Sequence, residues 1–148
     1  MKTIPVEIVE LEGKQFVGLP VTCSYSDPSP IGAVQSAFME RRDEILHAAN
    51  PEKYVCLHFS NEVLFTYIYC MEVSDASEKP EGMISFRLPA NTYACIKQPQ
   101  DEPYSTIQKY IAEHGWELNA GTLSMEVFRF GQAESKYNAE IYVPIRTA

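Results

Sequence analysis

Glu126 has the most chemistry to offer. It lies in the run Leu123 to Phe130, where alternation puts Ser124, Glu126, Phe128 and Phe130 on one face of an extended segment. A carboxylate inside an apolar strand is costly unless it is paired or hydrogen-bonded. Two chemistries exploit such a group. Ringed by aromatics it suits a bulky cation, because ring faces attract positive charge and the carboxylate neutralises it. Desolvated, its pKa rises and it can serve as a general base. The plain alternative is a surface glutamate that faces water or pairs with a nearby Lys or Arg.

Aromatic residues supply the rest of the chemistry. The chain has nine Tyr, seven Phe and one Trp, and clustered tyrosines mark boundaries between apolar and wet regions, such as pocket walls. In Val63 to Val73, Phe65, Tyr67, Tyr69 and Met71 share one face, while Leu64, Thr66, Ile68 and Cys70 share the other. Both faces are apolar, so this strand is expected to be covered on both sides. Tyr67 and Tyr69 fit a core or a pocket wall equally well. Trp116, next to Gly115, either caps the core or rims a cleft, and Tyr25 belongs to a stretch suited to a rim loop. Tyr137, Glu140 and Tyr142 fall on the returning strand that follows Glu126.

Other chemistries lack their residues. There is no Ser-His-Asp or Cys-His arrangement, phosphate loop or dinucleotide fingerprint. His47, His58 and His114 lack ligand spacing, and Cys23, Cys56, Cys70 and Cys95 form no Cys-x-x-Cys pair. The cysteines read as reduced thiols on strands, and no metal or cofactor is expected.

The elements that must position these groups come in two similar sets. Val6 to Leu11 and Gln15 to Cys23 are extended, with a break at Glu12-Gly13-Lys14. Ser29 as N-cap and Pro30 at the first helical position open a helix with Ile31, Val34, Phe38 and Ile45 on one stripe, ended by Asn50-Pro51. Strands follow at Tyr54 to Phe59 and Val63 to Val73. After the polar stretch Ser74 to Gly82 the order repeats: Met83 to Leu88, a break, Thr92 to Lys97, a helix opened by Asp101-Glu102-Pro103, then Leu123 to Phe130 and Ala139 to Ile145. Tyr104, Ile107 and Ile111 form the second helical stripe, and Gly115 ends it. The expected fold is α+β: one domain over 1–148 with repeats of about 1–73 and 82–148, a mostly antiparallel pseudo-twofold sheet, both helices on one face and a ligand cleft between the halves.

Length and charge agree with that reading. The 148 residues carry 12 Lys plus Arg and 20 Asp plus Glu, a formal charge of −8. A chain of this size buries enough surface to fold unaided. Its acidity disfavours a nucleic-acid face and points weakly to cationic or neutral partners. No apolar run follows Lys2 and charges interrupt every apolar stretch, so neither a secretory leader nor a membrane span is expected, and the compartment read from this is the cytoplasm.

Three strings in combination carry a family likeness. They are Leu88-Pro89-Ala90-Asn91-Thr92-Tyr93-Ala94-Cys95-Ile96, Met125-Glu126-Val127-Phe128 and Tyr137-Asn138-Ala139-Glu140-Ile141-Tyr142-Val143-Pro144-Ile145. With the duplicated pattern and the length, they resemble the GyrI-like small-molecule-binding domain, the effector module of AraC-type and MerR-type multidrug regulators. The resemblance implies a buried acidic residue at Glu126, a pocket tyrosine at Tyr137, and further ligand contacts from Phe128 and from Tyr104 at the start of the second helix. Asn91 stands where some relatives have Gly, and Asn tolerates the left-handed backbone such a turn requires.

No helix-turn-helix precedes the domain, so a stand-alone member is expected rather than a direct transcriptional regulator. The leading expectation is a binding protein for hydrophobic, often cationic, small molecules. One alternative is a hydrolase of reactive cyclopropane-containing toxins, with Glu126 activating water and Tyr137 polarising the electrophile. Another is a partner-blocking protein like the DNA gyrase inhibitor that names the family.

Overall fold

The computed structural model describes residues 6–99 and 101–148. The leader reading at Met1 to Pro5 lies outside them. Nine strands and two helices make an α+β fold: β1 (Glu7–Leu11), β2 (Lys14–Ser24), α1 (Pro30–Arg41), β3 (Lys53–Ser60), β4 (Leu64–Val73), β5 (Ile84–Leu88), β6 (Asn91–Ile96), α2 (Pro103–Glu113), β7 (Trp116–Leu118), β8 (Ser124–Arg129) and β9 (Glu140–Thr147). Among the described residues no helix is long and apolar enough to cross a membrane.

All pairings are antiparallel, in the order β1-β6-β9-β8-β3-β4-β2-β5, with β7 added beside β9. This order is palindromic about the β3–β8 seam. β3, β4, β2 and β5 on one side answer β8, β9, β6 and β1 on the other. The first strand of each half is exchanged, β1 pairing with β6 and β5 with β2. The exchange covers an edge of each half with a strand from the other.

Alternation sends each strand's side chains into two cores. One contains Val17, Phe38, Tyr54, Cys56, Tyr69, Ile107, Ile111 and Ile141 and packs under both helices. The other joins Phe16, Leu57, Ile68, Leu88, Tyr93 and Met125, drawn from both ends of the strand order, on the opposite face. β4 therefore buries both its faces, as its sequence requires. All four cysteines are free and buried on strands.

The helices lie over the flanks of the sheet. α1 packs on β2 and β4, and α2 packs on β6, β7 and β9; neither backbone packs on β3 or β8. The seam is left to side chains and to the 130–139 loop.

Several local expectations are corrected. Ser29 is not the N-cap acceptor. It already has helical angles (φ −56°, ψ −30°), and its hydroxyl donates to Asp27 Oδ1 at 2.6 Å. The Asp27 carboxylate also takes the Ser29 amide at 3.2 Å, so the turn is held from two residues earlier. α1 stops at Arg41, well before Asn50-Pro51. A 3-10 turn over Arg42–Glu44 follows, closed by Arg41 on Glu44 at 2.9 Å and on the Glu81 carbonyl at 2.7 Å. Ile45 becomes extended and drops into the core from outside the helix. β7 has no counterpart in the sequence reading, because three residues are too few to show a period. α2 begins as expected, with Glu102 Oε2 accepting the Ser105 amide at 2.6 Å, and Gly115 ends it at φ 77°.

Gly18 lets β2 lie tight on β4. A Cβ there would strike the Tyr69 carbonyl oxygen and come within 2.5 Å of Cys70 Cα, both of them backbone atoms that cannot give way. Gly18→Ala should destabilise the fold by about 3 kcal/mol, seen as a lower urea midpoint at unchanged slope. A midpoint equal to that of wild type would show that the two strands can separate at no cost.

Candidate functional site

Registers place the site residues side by side. Cys56 on β3 pairs with Glu126 on β8 and with Tyr69 on β4, so Glu126, Cys56 and Tyr69 form one row across the seam. One step along β3, His58 stands between Ser124 and Tyr67; one step the other way, Tyr54 lies opposite Phe128. These side chains face the helix side.

Glu126 is buried, at 7% exposure. Its Oε2 accepts the Tyr104 hydroxyl at 2.7 Å. Tyr104 comes from the first turn of α2, positioned by Pro103 and the Glu102 cap. His58 Nε2 lies 3.1 Å from the same hydroxyl. Since Tyr104 gives its one proton to Glu126, His58 must donate, which fixes the Nε2–H tautomer. Burial pushes the His58 pKa down to about 4, so the ring is neutral in this relay. Burial drives the Glu126 pKa up. The Tyr104 hydrogen bond and the positive charge of Lys136 oppose that rise, while the charge of Glu134 adds to it. Burial and the negative charge of Glu126 raise the Tyr104 pKa, so the phenol stays protonated as a donor.

A second carboxylate shares this face. Glu134, on the loop between β8 and β9, accepts from Tyr54 at 2.8 Å and from Tyr69 at 2.9 Å. Glu134 itself is exposed, and the rings behind it pack on one another as a closed cage: Tyr54 lies 4.9 Å from Phe130 and 5.3 Å from Phe128, and Phe38 lies 6.0 Å from Tyr69. Cys56 lies between the two carboxylates. Burial first, then the charges of Glu134 and Glu126, push its thiol pKa well up, so it is no nucleophile. An aromatic file also runs outward from the relay: His58 stacks on Tyr67 at 5.1 Å, Tyr67 meets Phe65 at 6.0 Å, and Phe65 meets Tyr25 at 5.1 Å. Beyond Tyr104 and His58 a cavity of about 210 Å³ is lined also by Ile107, Leu118, Asn119 and Ser124.

Of the residues singled out in the sequence, Glu126, Tyr104, Tyr67, Tyr69 and Phe128 come together on this face. Tyr25 joins only through Phe65; it is exposed and its hydroxyl donates to the Asn61 carbonyl at 2.6 Å. Tyr137 is not on the strand after Glu126. β9 starts at Glu140, and Tyr137 sits exposed in the loop, with Lys136 Nζ 5.7 Å from its ring centre. Trp116 packs half-buried against the core from β7. His58, Cys56, Phe65 and Glu134 were missed. For the first two, alternation with Tyr54 along β3 was the available signal; Glu134, in an irregular loop, had none.

The chain belongs to the Cass2 family of integron-associated effector-binding proteins, whose model matches residues 7–145, and it is a GyrI-like small-molecule-binding domain, as its strings suggest. It is 30% identical over 159 residues to the transcriptional regulator BrlR of Pseudomonas aeruginosa; the match takes in 98% of this chain but only 57% of that protein. Among solved structures it is similar to SAV2435 bound to tetraphenylphosphonium, with TM-score 0.70 and 14% identity, covering 95% of this chain and 93% of that one. It is also similar to a hydrolase from Listeria innocua, with TM-score 0.55 and 9% identity, covering 97% and 92%.

Two outcomes follow from the relay. The folded state favours protonated Glu126, so native stability falls as pH rises from the unfolded glutamate value of about 4.3 through the raised folded value. Glu126→Gln keeps an acceptor for Tyr104 and removes that dependence. Its Tm should exceed the wild-type Tm at pH 8, with the gain vanishing at pH 4; a pH-independent difference would contradict a desolvated carboxylate. In NMR titrations the His58 ring signals should stay flat from pH 8 down to about 5.5, and a midpoint near 6.5 would contradict a buried neutral ring.

Proposed function

We propose that this protein binds hydrophobic organic cations in the cytoplasm through the face that holds Glu126, sequestering them or handing them on. The observation that carries the reading is a buried carboxylate set among tyrosine, histidine and phenylalanine rings, with a single neutral donor, Tyr104, on the oxygen it would turn toward a ligand. Rings and charge together tolerate many shapes, so broad selectivity is expected. The likeness to a structure holding tetraphenylphosphonium, a lipophilic cation, supports this class of ligand. The 210 Å³ cavity is smaller than drug-sized sites, which run from about 300 Å³. Tyr104 lines it and also holds Glu126, so a swing of that ring would join the cavity to the carboxylate. Glu126→Gln should weaken a cationic dye 10- to 100-fold, about 1.4–2.7 kcal/mol, and change a neutral dye of the same shape by less than about twofold. Equal losses for both would refute charge pairing.

A second reading, hydrolysis, has one observation in its favour. The raised carboxylate of Glu126, joined through Tyr104 to a neutral His58, is the arrangement of a general base with a proton relay. The same fold houses a hydrolase, though a shared fold does not convey an activity. The two readings separate on turnover. A reactive cyclopropane-containing electrophile should be converted many times per protein by a hydrolase and held once by a binder.

A further inference from the structure

Glu134 adds something the single-carboxylate reading does not use. Its carboxylate is exposed and sits on the hydroxyls of Tyr54 and Tyr69 at 2.8 and 2.9 Å, at the outer side of the closed ring cage that Phe38 and Phe130 complete. Tyr69 stands two strands from Glu126 in the same row. At the usual strand spacing those two positions lie roughly 10 Å apart, with the uncharged Cys56 between them. The site thus has two negative ends and an apolar middle.

The protein's own cations mark both ends. The Arg42 guanidinium lies 4.0 Å above the centre of Phe130, the outer ring of the Glu134 cage. At the other end Lys136 is near enough for its charge to act on Glu126, and its ammonium is tethered 3.1 Å from Glu102. An arginine stacked on the cage shows that the ring surface there already accepts a planar, weakly hydrated cation.

We propose that the face holds two cationic subsites, Glu126 with Tyr104 and the exposed Glu134 with the outer face of Phe130, and that its preferred ligands are aromatic dications. This rests on the cation-binding reading above. In the ligand-bound state the aromatic cation lies against Glu126, and the second charge reaches Glu134 over the outer face of Phe130, in the place of Arg42. Glu134 lies on a loop and Glu126 on a central strand, so the second subsite can adapt its distance to ligands of different length while the first stays fixed.

Ethidium and propidium share one phenanthridinium ring, and propidium adds a quaternary ammonium tail. Fluorescence titration of the whole chain should show propidium binding about fivefold tighter than ethidium, one added ion pair's worth at an exposed carboxylate. Glu134→Gln should erase that advantage and leave ethidium within about twofold, whereas Glu126→Gln should weaken both dyes. Arg42→Gln, which removes the internal competitor from the exposed side of the cage, should tighten propidium alone. Equal affinity of the two dyes for wild type, or equal losses for both in Glu134→Gln, overturns the second subsite while leaving the first intact. Binding of neither dye overturns the cation-binding reading and this inference with it. Should Glu134→Gln disturb the loop, Tyr69→Phe removes one of its two hydroxyl anchors and should lower the propidium advantage without abolishing ethidium binding.

Discussion

A buried carboxyl group in the middle of a sheet sets the terms for everything around it. Glu126 has lost its water, and one phenol stands in for it at 2.7 Å. That phenol must arrive from a helix whose first turn is anchored. Pro103 at its first position, the Glu102 cap on Ser105 and the tie from Lys136 to Glu102 supply the anchor. The phenol must also be kept protonated and aimed, which burial and His58 accomplish together. Remove any one of these and the carboxylate is left desolvated without its donor, a condition proteins tolerate poorly.

The palindromic strand order explains why the carboxylate can sit there at all. Each helix covers the flank of its own half, so the seam between β3 and β8 has no helix above it. In a single repeat that strand would be an edge. Duplication turns the two edges into the centre, gives the backbone full hydrogen bonding, and leaves the seam to be covered by single side chains reaching in from the helices, Phe38 onto Tyr54 and Tyr104 onto Glu126. The exchanged first strands lock the halves together, so the seam cannot open by simple rotation of one half away from the other.

How much of this could be read in advance differs by element. Strands with clear alternation, such as β4 with Tyr67 and Tyr69 on one side and Ile68 and Cys70 on the other, were legible because period two survives burial on both faces. The end of α1 was not, since Ile45 keeps helical spacing from Phe38 while its backbone is extended. Glu126 was legible as a misfit within its strand. Its partner Tyr104 reads as a core residue on a helical stripe and stands out only through family likeness. Tyr137 was misplaced by that likeness, because three residues decide whether a position belongs to a strand or to the loop before it. Glu134 was beyond reach. Its function as an acceptor arises from loop closure onto two tyrosines 80 and 65 residues away in sequence, and no local pattern encodes that.

The two carboxylates also sharpen what the net charge of −8 means. Most acidic side chains are solvated and add to a diffuse field. Glu126 and Glu134 instead act on shared neighbours: both raise the Cys56 thiol and the Tyr67 phenol, and Glu134 raises Glu126 itself. On the proposed reading, a cation placed between the two carboxylates would relieve the repulsion that Glu134 exerts on Glu126. The tyrosines are suited to that exchange. A phenol gives up a carboxylate for water or for a second acceptor at little net cost, so the hydroxyls of Tyr104, Tyr54 and Tyr69 can hold the carboxylates when the site is empty and release them toward a cation when it is filled. An arginine or lysine in their place would neutralise the same charge permanently and leave nothing for a ligand to gain.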